Sequence, residues 1–451
     1  MVQPKNYLHT VMQSFTICCL ITCIWMIFGY SLAFRPGTPV IGGASRFWLL
    51  GMESWAIHPL APTIPESVFM TFQMTFAIIT PALIVGGLAE RMKFGSLIVF
   101  MSAWSLCVYC PIAHSVWAMD GFLHLAGLLD FAGGTVVHIS SGFSALVAAI
   151  VLGKRHGHGN ARFEPHNVSI SLIGASLLWV GWFGFNAGSA GGSNAIAGMA
   201  LSTTQIATGA AGMSWMMTEW VLKGKPTVMS VISGAVAGLV TITPACGYVD
   251  HNGAIIMGFI TGIVCSFSVR WKHYFGYDDA LDAFGAHGVG GVVGALLTGL
   301  FASPKLNNFY PGCPIANEPC YGPFTQRISG AFYDHQLPTL FGTDYSGLDP
   351  ANCKSSAKLC AMGGATNRKG IQLGLQFYGV VVAAGWSCFA TYILLKIIDK
   401  AMGLRVALED EVEGLDASVH GETVYYGSDD MKPPADAIVY TEEPTSIDVK
   451  V

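Results

Sequence analysis

Charged residues divide the chain into ten long apolar stretches. They lie at Leu8–Phe34, Val68–Ala89, Gly95–Trp117, Phe131–Gly153, Val168–Gly188, Asn194–Thr218, Pro226–Tyr248, Asn252–Val269, Ala283–Ser303 and Gly370–Leu395. Each is close to the roughly 20 residues that a helix needs to cross the hydrocarbon core of a bilayer. Because backbone polar groups in lipid must be satisfied within the segment, the pattern predicts ten transmembrane helices.

Composition supports this interpretation and excludes a water-soluble fold. The chain of 451 residues is 52% hydrophobic and only 11% charged, whereas soluble proteins average about 25% charged. We therefore predict an all-α polytopic membrane protein. The net charge of −5 indicates no particular partner, and no nucleic-acid partner is expected.

Positive residues collect in one set of alternate loops, which predicts that this set faces the cytosol. The opposite short loops, around Asp120, Gly191 and Asp250, carry no Lys or Arg. Both termini are therefore expected in the cytosol. The basic residues are Arg91, Lys93, Lys154, Arg155, Arg162, Lys223, Lys225, Arg270, Lys272, Lys396, Lys400 and Arg405.

The same pattern separates two parts of the chain. Residues 1–403 are predicted to form the transmembrane domain, with a long external loop at 304–368, and residues 404–451 a cytosolic acidic tail with a regulatory role. The external loop holds four cysteines, and two disulfides are expected in an oxidising compartment, with three possible pairings. Free surface thiols are the alternative. The four are Cys313, Cys320, Cys353 and Cys360.

A weak internal repeat links two of the apolar stretches. Asp130 precedes His138 by eight positions, and Asp279 precedes His287 by eight, with glycine between in both cases. By the loop count the two stretches enter the membrane from opposite sides. Inverted repeats that meet near the bilayer midplane build the central sites of many transporters. We therefore expect an inverted pseudo-twofold repeat around a central pore.

The two histidines are the deepest ionisable residues in the predicted spans. Such residues are costly in a membrane and normally face a protein interior or a water-filled path. Small residues frame both His138 and His287, and small neighbours allow close helix packing. Two buried histidines satisfied by backbone carbonyls are the alternative. A metal site would lack a full ligand set, so neither a metal nor a cofactor is expected.

Aromatic residues provide a second, weaker indication. Phe72 and Phe76 lie one turn apart, Trp117 ends the third stretch, and Trp182 and Phe185 share a glycine-rich motif. The faces of such rings can hold a small cation, at about 0.5–2 kcal/mol per contact. Each observation alone also fits core packing or interfacial anchoring.

Four long motifs make the pattern specific. They are Pro81-Ala-Leu-Ile-Val-Gly-Gly-Leu-Ala-Glu-Arg91, Asp130-Phe-Ala-Gly-Gly-Thr-Val-Val-His138-Ile, Gly181-Trp-Phe-Gly-Phe-Asn-Ala-Gly-Ser189 and Phe284-Gly-Ala-His287-Gly. They closely resemble the Amt/Mep/Rh ammonium transporter family, in its Amt-type branch. The resemblance covers nearly the whole chain and extends to the tail, where Gly403-Leu-Arg-Val406 and Gly414-Leu-Asp416 are similar to the family's regulatory segment.

The resemblance implies roles for nine residues. An external site that recruits ammonium is implied for Phe72, Phe76, Trp117 and Ser189, and a pore for His138, His287, Phe185 and Trp182. Phe76 and Phe185 resemble the stacked pair that closes the pore. Asp130 is similar to an aspartate that holds local structure at a helix start, where negative charge is favoured. The resemblance further suggests a homotrimer in the plasma membrane.

A mechanism follows from the cost of burying charge. Carrying intact ammonium through an apolar pore costs many kcal/mol, and deprotonation at the mouth removes that cost. Neutral ammonia, with methylammonium as its analogue, can then pass uncharged imidazoles that offer a donor and an acceptor. An ammonium sensor that signals through its tail is the alternative function. An enzyme is not expected, since no His-Glu-x-x-His element occurs.

The N-terminus departs from the family pattern. The family has eleven spans, whereas Met1-Val-Gln-Pro-Lys-Asn6 resembles the loop that follows its first span. We therefore expect ten helices, with the inverted repeat of five plus five reduced to four plus five. An incomplete gene prediction or an internal start is the preferred interpretation, and a true ten-span variant is the alternative.

Overall fold

Ten apolar helices form the bundle in the computed structural model, which describes residues 2–159, 163, 165–303, 306 and 371–424. Each falls on one of the ten predicted stretches, so the predicted fold class is confirmed. Eight are long and apolar enough to cross a membrane, and α6 and α7 complete the set. The helices are α1 Pro4–Phe34, α2 Glu66–Leu88, α3 Phe94–Ala126, α4 Gly134–Leu152, α5 Val168–Gly188, α6 Ala195–Lys223, α7 Val228–Ile242, α8 His251–Phe275, α9 Phe284–Phe301 and α10 Ile371–Met402.

Four of these helices contain a π-helical turn, a feature that is frequent at functional sites. The turns span Trp25–Gly29 in α1, Ser105–Tyr109 in α3, Gly134–Ile139 in α4 and Phe284–Gly288 in α9. The last two each open their helix and each contain one of the two histidines. The sequence pattern did not predict these turns, nor the short antiparallel hairpin of β1 Ile57–His58 and β2 Ala61–Pro65.

Glycines allow the second half of the bundle to pack closely. A β-carbon at Gly258 of α8 would lie 2.2 Å from the carbonyl oxygen of Ala207 on α6, and one at Gly238 of α7 would lie 2.8 Å from the same oxygen. Without side chains at these positions, three helices approach backbone to backbone. Such small-residue contacts drive helix association in lipid, where no hydrophobic force acts between helices.

A crossed pair of glycines joins the two halves at the centre. Gly142 lies four residues after His138, and a β-carbon there would lie 2.2 Å from the backbone nitrogen of Gly288. Gly291 lies four residues after His287, and its β-carbon would lie 3.1 Å from the Cβ of His138. Each half thus places its glycine against the other half's histidine segment, as the predicted inverted repeat requires.

The start of the tail folds onto the helix ends where the basic loops lie. It forms two short helices, α11 Leu408–Glu413 and α12 Leu415–His420. Asp416 accepts hydrogen bonds from the backbone N–H groups of Leu8 and His9, at 3.0 and 2.8 Å. Because these are early N–H groups of α1, the carboxylate caps that helix. The loop 304–368, which was predicted to be external, its four cysteines and the tail beyond residue 424 lie almost entirely outside the described residues.

A buried ionic network ties the loops together on the same face. The guanidinium of Arg155 donates two hydrogen bonds of 2.8 Å to the carboxylate of Asp278 and also pairs with Glu90. Arg91, which is fully buried, donates to the backbone carbonyl of Asp278 at 2.6 Å. Burial alone would raise the pKa of Asp278, but the hydrogen bonds and charge of Arg155 hold it well below its usual range.

Candidate functional site: an aromatic and histidine-lined path

A continuous series of ring contacts runs from one face of the bundle to its centre. The centroids of Phe72 and Phe76 lie 4.9 Å apart, those of Phe76 and Trp117 5.6 Å, and those of Phe76 and Phe185 4.3 Å. Phe76 is the hub, and it is 1% exposed. Helices α2, α3 and α5 therefore meet through four of the residues that the sequence singled out.

The series continues from Phe185 to the histidines. Its ring lies 5.2 Å from Trp182 and 6.2 Å from His138, and Trp182 stacks on His138 with an interplanar angle of 16° at 5.4 Å. The indole N–H of Trp182 donates to the hydroxyl of Thr243 at 2.9 Å. This hydrogen bond fixes the face that the indole presents to the imidazole.

The two histidines meet although 149 positions separate them in sequence. Their Nδ1 atoms lie 3.4 Å apart and their ring centroids 5.4 Å apart. His138 is 1% exposed and His287 9%. Among the described residues the Nε2 atom of His138 has no hydrogen-bond partner, and no backbone carbonyl is bonded to either ring. The arrangement differs from that of two buried histidines satisfied by carbonyls.

Asp130 lies just before α4 and holds the start of that helix. Its two carboxylate oxygens accept four backbone hydrogen bonds of 2.7–3.0 Å, from Gly133, Gly134, Thr135 and Val136. Its own carbonyl accepts the indole N–H of Trp117 at 2.9 Å. A negative charge is favoured among the free N–H groups of a helix start. Asp130 thus connects an outer aromatic residue with the helix that carries His138.

Ser189 has a more local contact than the other expected site residues. Its hydroxyl donates to the carbonyl of Phe185, one turn earlier on α5, at 2.9 Å. The preceding Gly188 lies against Phe72, since a β-carbon there would lie 2.8 Å from the ring. The end of α5 therefore reaches Phe72, and Ser189, the next residue, is half-buried.

The sequence interpretation missed two kinds of residue in this region. A glycine lies four positions after each histidine in the sequence, but only the contact of Gly142 with Gly288 and of Gly291 with His138 reveals its use. Thr243, which orients Trp182, carries no sequence signal, because every one of the ten helices contains a serine or a threonine.

Comparison with known proteins assigns the family. A family model described as Ammonium Transporter Family matches residues 1–425. The chain belongs to the ammonium transporter family. An ammonium transporter of Bacillus subtilis (strain 168) is 40% identical over 431 residues, covering 95% of this chain and 93% of that relative. An ammonium transporter of Aquifex aeolicus is 40% identical over 426 residues, covering 94% and 86%.

Solved structures agree with this assignment. Saccharomyces cerevisiae Mep2 matches with a TM-score of 0.73 and 32% identity, over 89% of this chain and 80% of that chain. A structure described as a sensor Amt protein matches with a TM-score of 0.75 and 26% identity, over 93% and 91%. This family member is accordingly a multi-pass membrane protein of the transporter type.

Proposed function

We propose that the chain transports ammonium by recruiting the cation at an outer aromatic site and conducting ammonia past two histidines. Membership of the ammonium transporter family indicates that ammonium is the substrate. The ring series from Phe72 through Phe76 and Phe185 to His138 supports the route. It is the single observation on which the mechanism rests, because it joins an outer cluster of π faces to the paired imidazoles.

At the outer end, Phe72, Phe76, Trp117 and Ser189 are proposed to hold the ammonium ion. Ring faces attract a cation electrostatically, and the Ser189 hydroxyl can accept a hydrogen bond while it donates to Phe185. The contact of Phe76 with Phe185, at 4.3 Å, closes the path below this site. A charged ion would have to lose its water to pass these rings, so release of a proton to the outer water precedes passage.

At the centre, His138 and His287 are proposed to guide the neutral molecule. Their Nδ1 atoms face each other at 3.4 Å, so a proton shared between them leaves each Nε2 free for the passing molecule. Uncharged ammonia both donates and accepts hydrogen bonds, and neutral imidazole nitrogens offer the complementary groups. Potassium can neither lose a proton nor donate a hydrogen bond, so we expect the path to reject it.

The acidic tail is proposed to be cytosolic and regulatory. The tail contacts two of the basic loops, since Val406 donates its backbone N–H to the carbonyl of Arg91 at 3.0 Å and Glu411 accepts the backbone N–H of His156 at 2.6 Å. By the positive-inside rule the basic loops mark the cytosolic face. Arg405 of the tail donates to the carbonyl of Leu152, at the end of the pore helix α4, at 3.1 Å. A change in tail docking would therefore act on a helix that lines the path. A homotrimer in the plasma membrane is proposed from family likeness alone.

The experiment is uptake of methylammonium, together with ammonium-dependent current, in cells that lack their own ammonium transport. We expect flux from the wild-type chain and loss or altered proton coupling of flux in His138→Ala and His287→Ala. Phe377→Ala is the matched control, since that ring on α10 is 59% exposed and makes none of the contacts described above. Wild-type flux from both histidine variants would refute the paired-histidine path. Binding of ammonium without any flux would instead support a sensor.

A further inference from the structure

A buried glutamine on the last transmembrane helix joins the two halves of the bundle. Gln376 lies on α10 and is 0% exposed. Its amide oxygen accepts the backbone N–H of Leu129 at 2.8 Å, and its amide nitrogen donates to the carbonyl of Leu129 at 2.8 Å and to the carbonyl of Ala295 at 3.1 Å. The side chain pairs with both polar groups of Leu129, as an antiparallel strand would, while also holding α9.

Leu129 and Ala295, the two residues bonded to this amide, each lie on a segment that holds residues of the proposed path. Leu129 immediately precedes Asp130, whose carbonyl holds the indole of Trp117 and whose carboxylate caps the helix that carries His138. Ala295 lies on α9, about two turns after His287. One side chain is thus bonded to the segment that orients the outer site and to the helix that carries the second histidine.

Helix α10 supplies three of the backbone hydrogen bonds of the segment before Asp130. This segment is non-helical between Gly127 and Asp130, and irregular backbone in a membrane protein must find partners within the protein. Gln372, one turn before Gln376, donates to the carbonyl of Gly127 at 3.0 Å. Packing adds to this contact, since a β-carbon at Gly379 of α10 would lie 2.5 Å from the side chain of Leu128.

We propose that Gln376 is a positioning residue for transport, which sets the place of the Asp130 turn relative to α9. It thereby fixes the orientation of Trp117 and the separation of His138 and His287. The inference rests on the proposed function, because it matters for transport only if these residues form the path. It assigns to α10 a role in substrate affinity and selectivity, although none of the ring contacts that form the path involves this helix.

The test compares Gln376→Leu with Gln372→Leu in the same uptake assay. Both variants remove a buried amide from one face of α10. Gln372→Leu loses the hydrogen bonds of Gln372 to the carbonyl of Gly127 and to the amide oxygen of Gln376, at 3.0 and 3.3 Å, whereas only Gln376→Leu releases Leu129 and Ala295. Rates are divided by the amount of folded protein, measured by fluorescence-detected size exclusion of a tagged chain. KM for methylammonium and the fraction of uptake that potassium inhibits are also measured, since neither depends on the amount of folded protein. We expect Gln376→Leu to lower the ratio of maximal uptake rate to KM by about tenfold or more, because the N–H of Leu129 and the carbonyls of Leu129 and Ala295 each lose a hydrogen bond. For Gln372→Leu we expect the same ratio to fall by about threefold or less.

A purely structural role predicts a different result. It would reduce the amount of folded protein while KM and potassium inhibition per molecule stay at wild-type values, and this outcome overturns the proposal. If Gln376→Leu does not fold, Gln376→Asn decides, because it keeps the amide on a stem one methylene shorter and misplaces it. Unchanged KM and potassium inhibition in that variant also overturn it. If the wild-type chain shows no flux, the proposed function itself is refuted. If the wild-type chain transports and the Gln376 variants keep its KM and potassium inhibition, only the positioning role is refuted.

Discussion

The Asp130→Asn substitution tests how the start of the pore helix is held. The carboxylate of Asp130 accepts four backbone N–H groups, two on each oxygen. An asparagine has one oxygen, so its NH₂ group must face two of these donors. Hydrogen bonds to a charged group are worth about 1.5–3 kcal/mol each, so losing two costs about 3–6 kcal/mol. Loss of the charge at the helix start adds about 0.3–1 kcal/mol.

This cost is large against the total stability of a folded protein, about 5–15 kcal/mol. We therefore expect the variant to lose most of its folded protein, measured as the heat resistance of a fluorescent fusion in detergent. The protein that remains is expected to bind methylammonium more weakly, because the carbonyl of Asp130 orients Trp117. Both effects are expected because Asp130 holds the start of α4 with its carboxylate and the indole of Trp117 with its carbonyl.

Asp120→Asn is the matched control. Asp120 lies three residues after Trp117 and accepts one backbone hydrogen bond from Gly37 at 2.9 Å. It also lies 3.4 Å from the Nε2 atom of His114, and its side chain is 40% exposed. An exposed contact of this kind contributes about 1 kcal/mol or less, so we expect near wild-type heat resistance. Equal resistance of the Asp130→Asn and Asp120→Asn variants, with unchanged uptake, would show that the four short hydrogen bonds do not stabilise the helix start as argued.

Three further outcomes follow from the structure. Trp117→Leu removes a cation–π contact of about 0.5–2 kcal/mol, so KM for methylammonium should rise about two- to thirtyfold, and an unchanged KM would place the cation elsewhere. Gly142→Ala places a methyl group against the backbone of the other half, and overpacking of about 1–3 kcal/mol should lower uptake per folded molecule by separating the histidines. The depressed pKa of Asp278 means that its pairing with Arg155 contributes fully above pH about 4 and is lost as the pH falls further. Heat resistance measured against pH should show this acid-induced loss in the wild type and a smaller one in Arg155→Gln.

The sequence by itself determined the number and position of the membrane helices. Lipid forces each span to be long, apolar and helical, so hydropathy alone locates all ten helices of the described bundle, although the predicted end of α3 at Trp117 falls nine residues before its observed end at Ala126. The two histidine motifs also stood out without a structure, because an ionisable residue is rare inside a span. Their equal spacing from Asp130 and Asp279 predicted a repeat, and the loop count, which makes the two stretches enter the membrane from opposite sides, predicted that it is inverted.

Only the tertiary structure decided which residues meet across the bundle. His138 and His287 approach because Gly142 and Gly291 let two helices cross backbone to backbone, and composition does not specify which glycine faces which helix. The role of Gln376 was equally hidden, because a glutamine in a span is visible in sequence while its backbone partners are not. The hydrophobic effect that favours a helix in lipid is non-directional and does not select its neighbours. Which helices pair depends on contacts between segments that are distant along the chain.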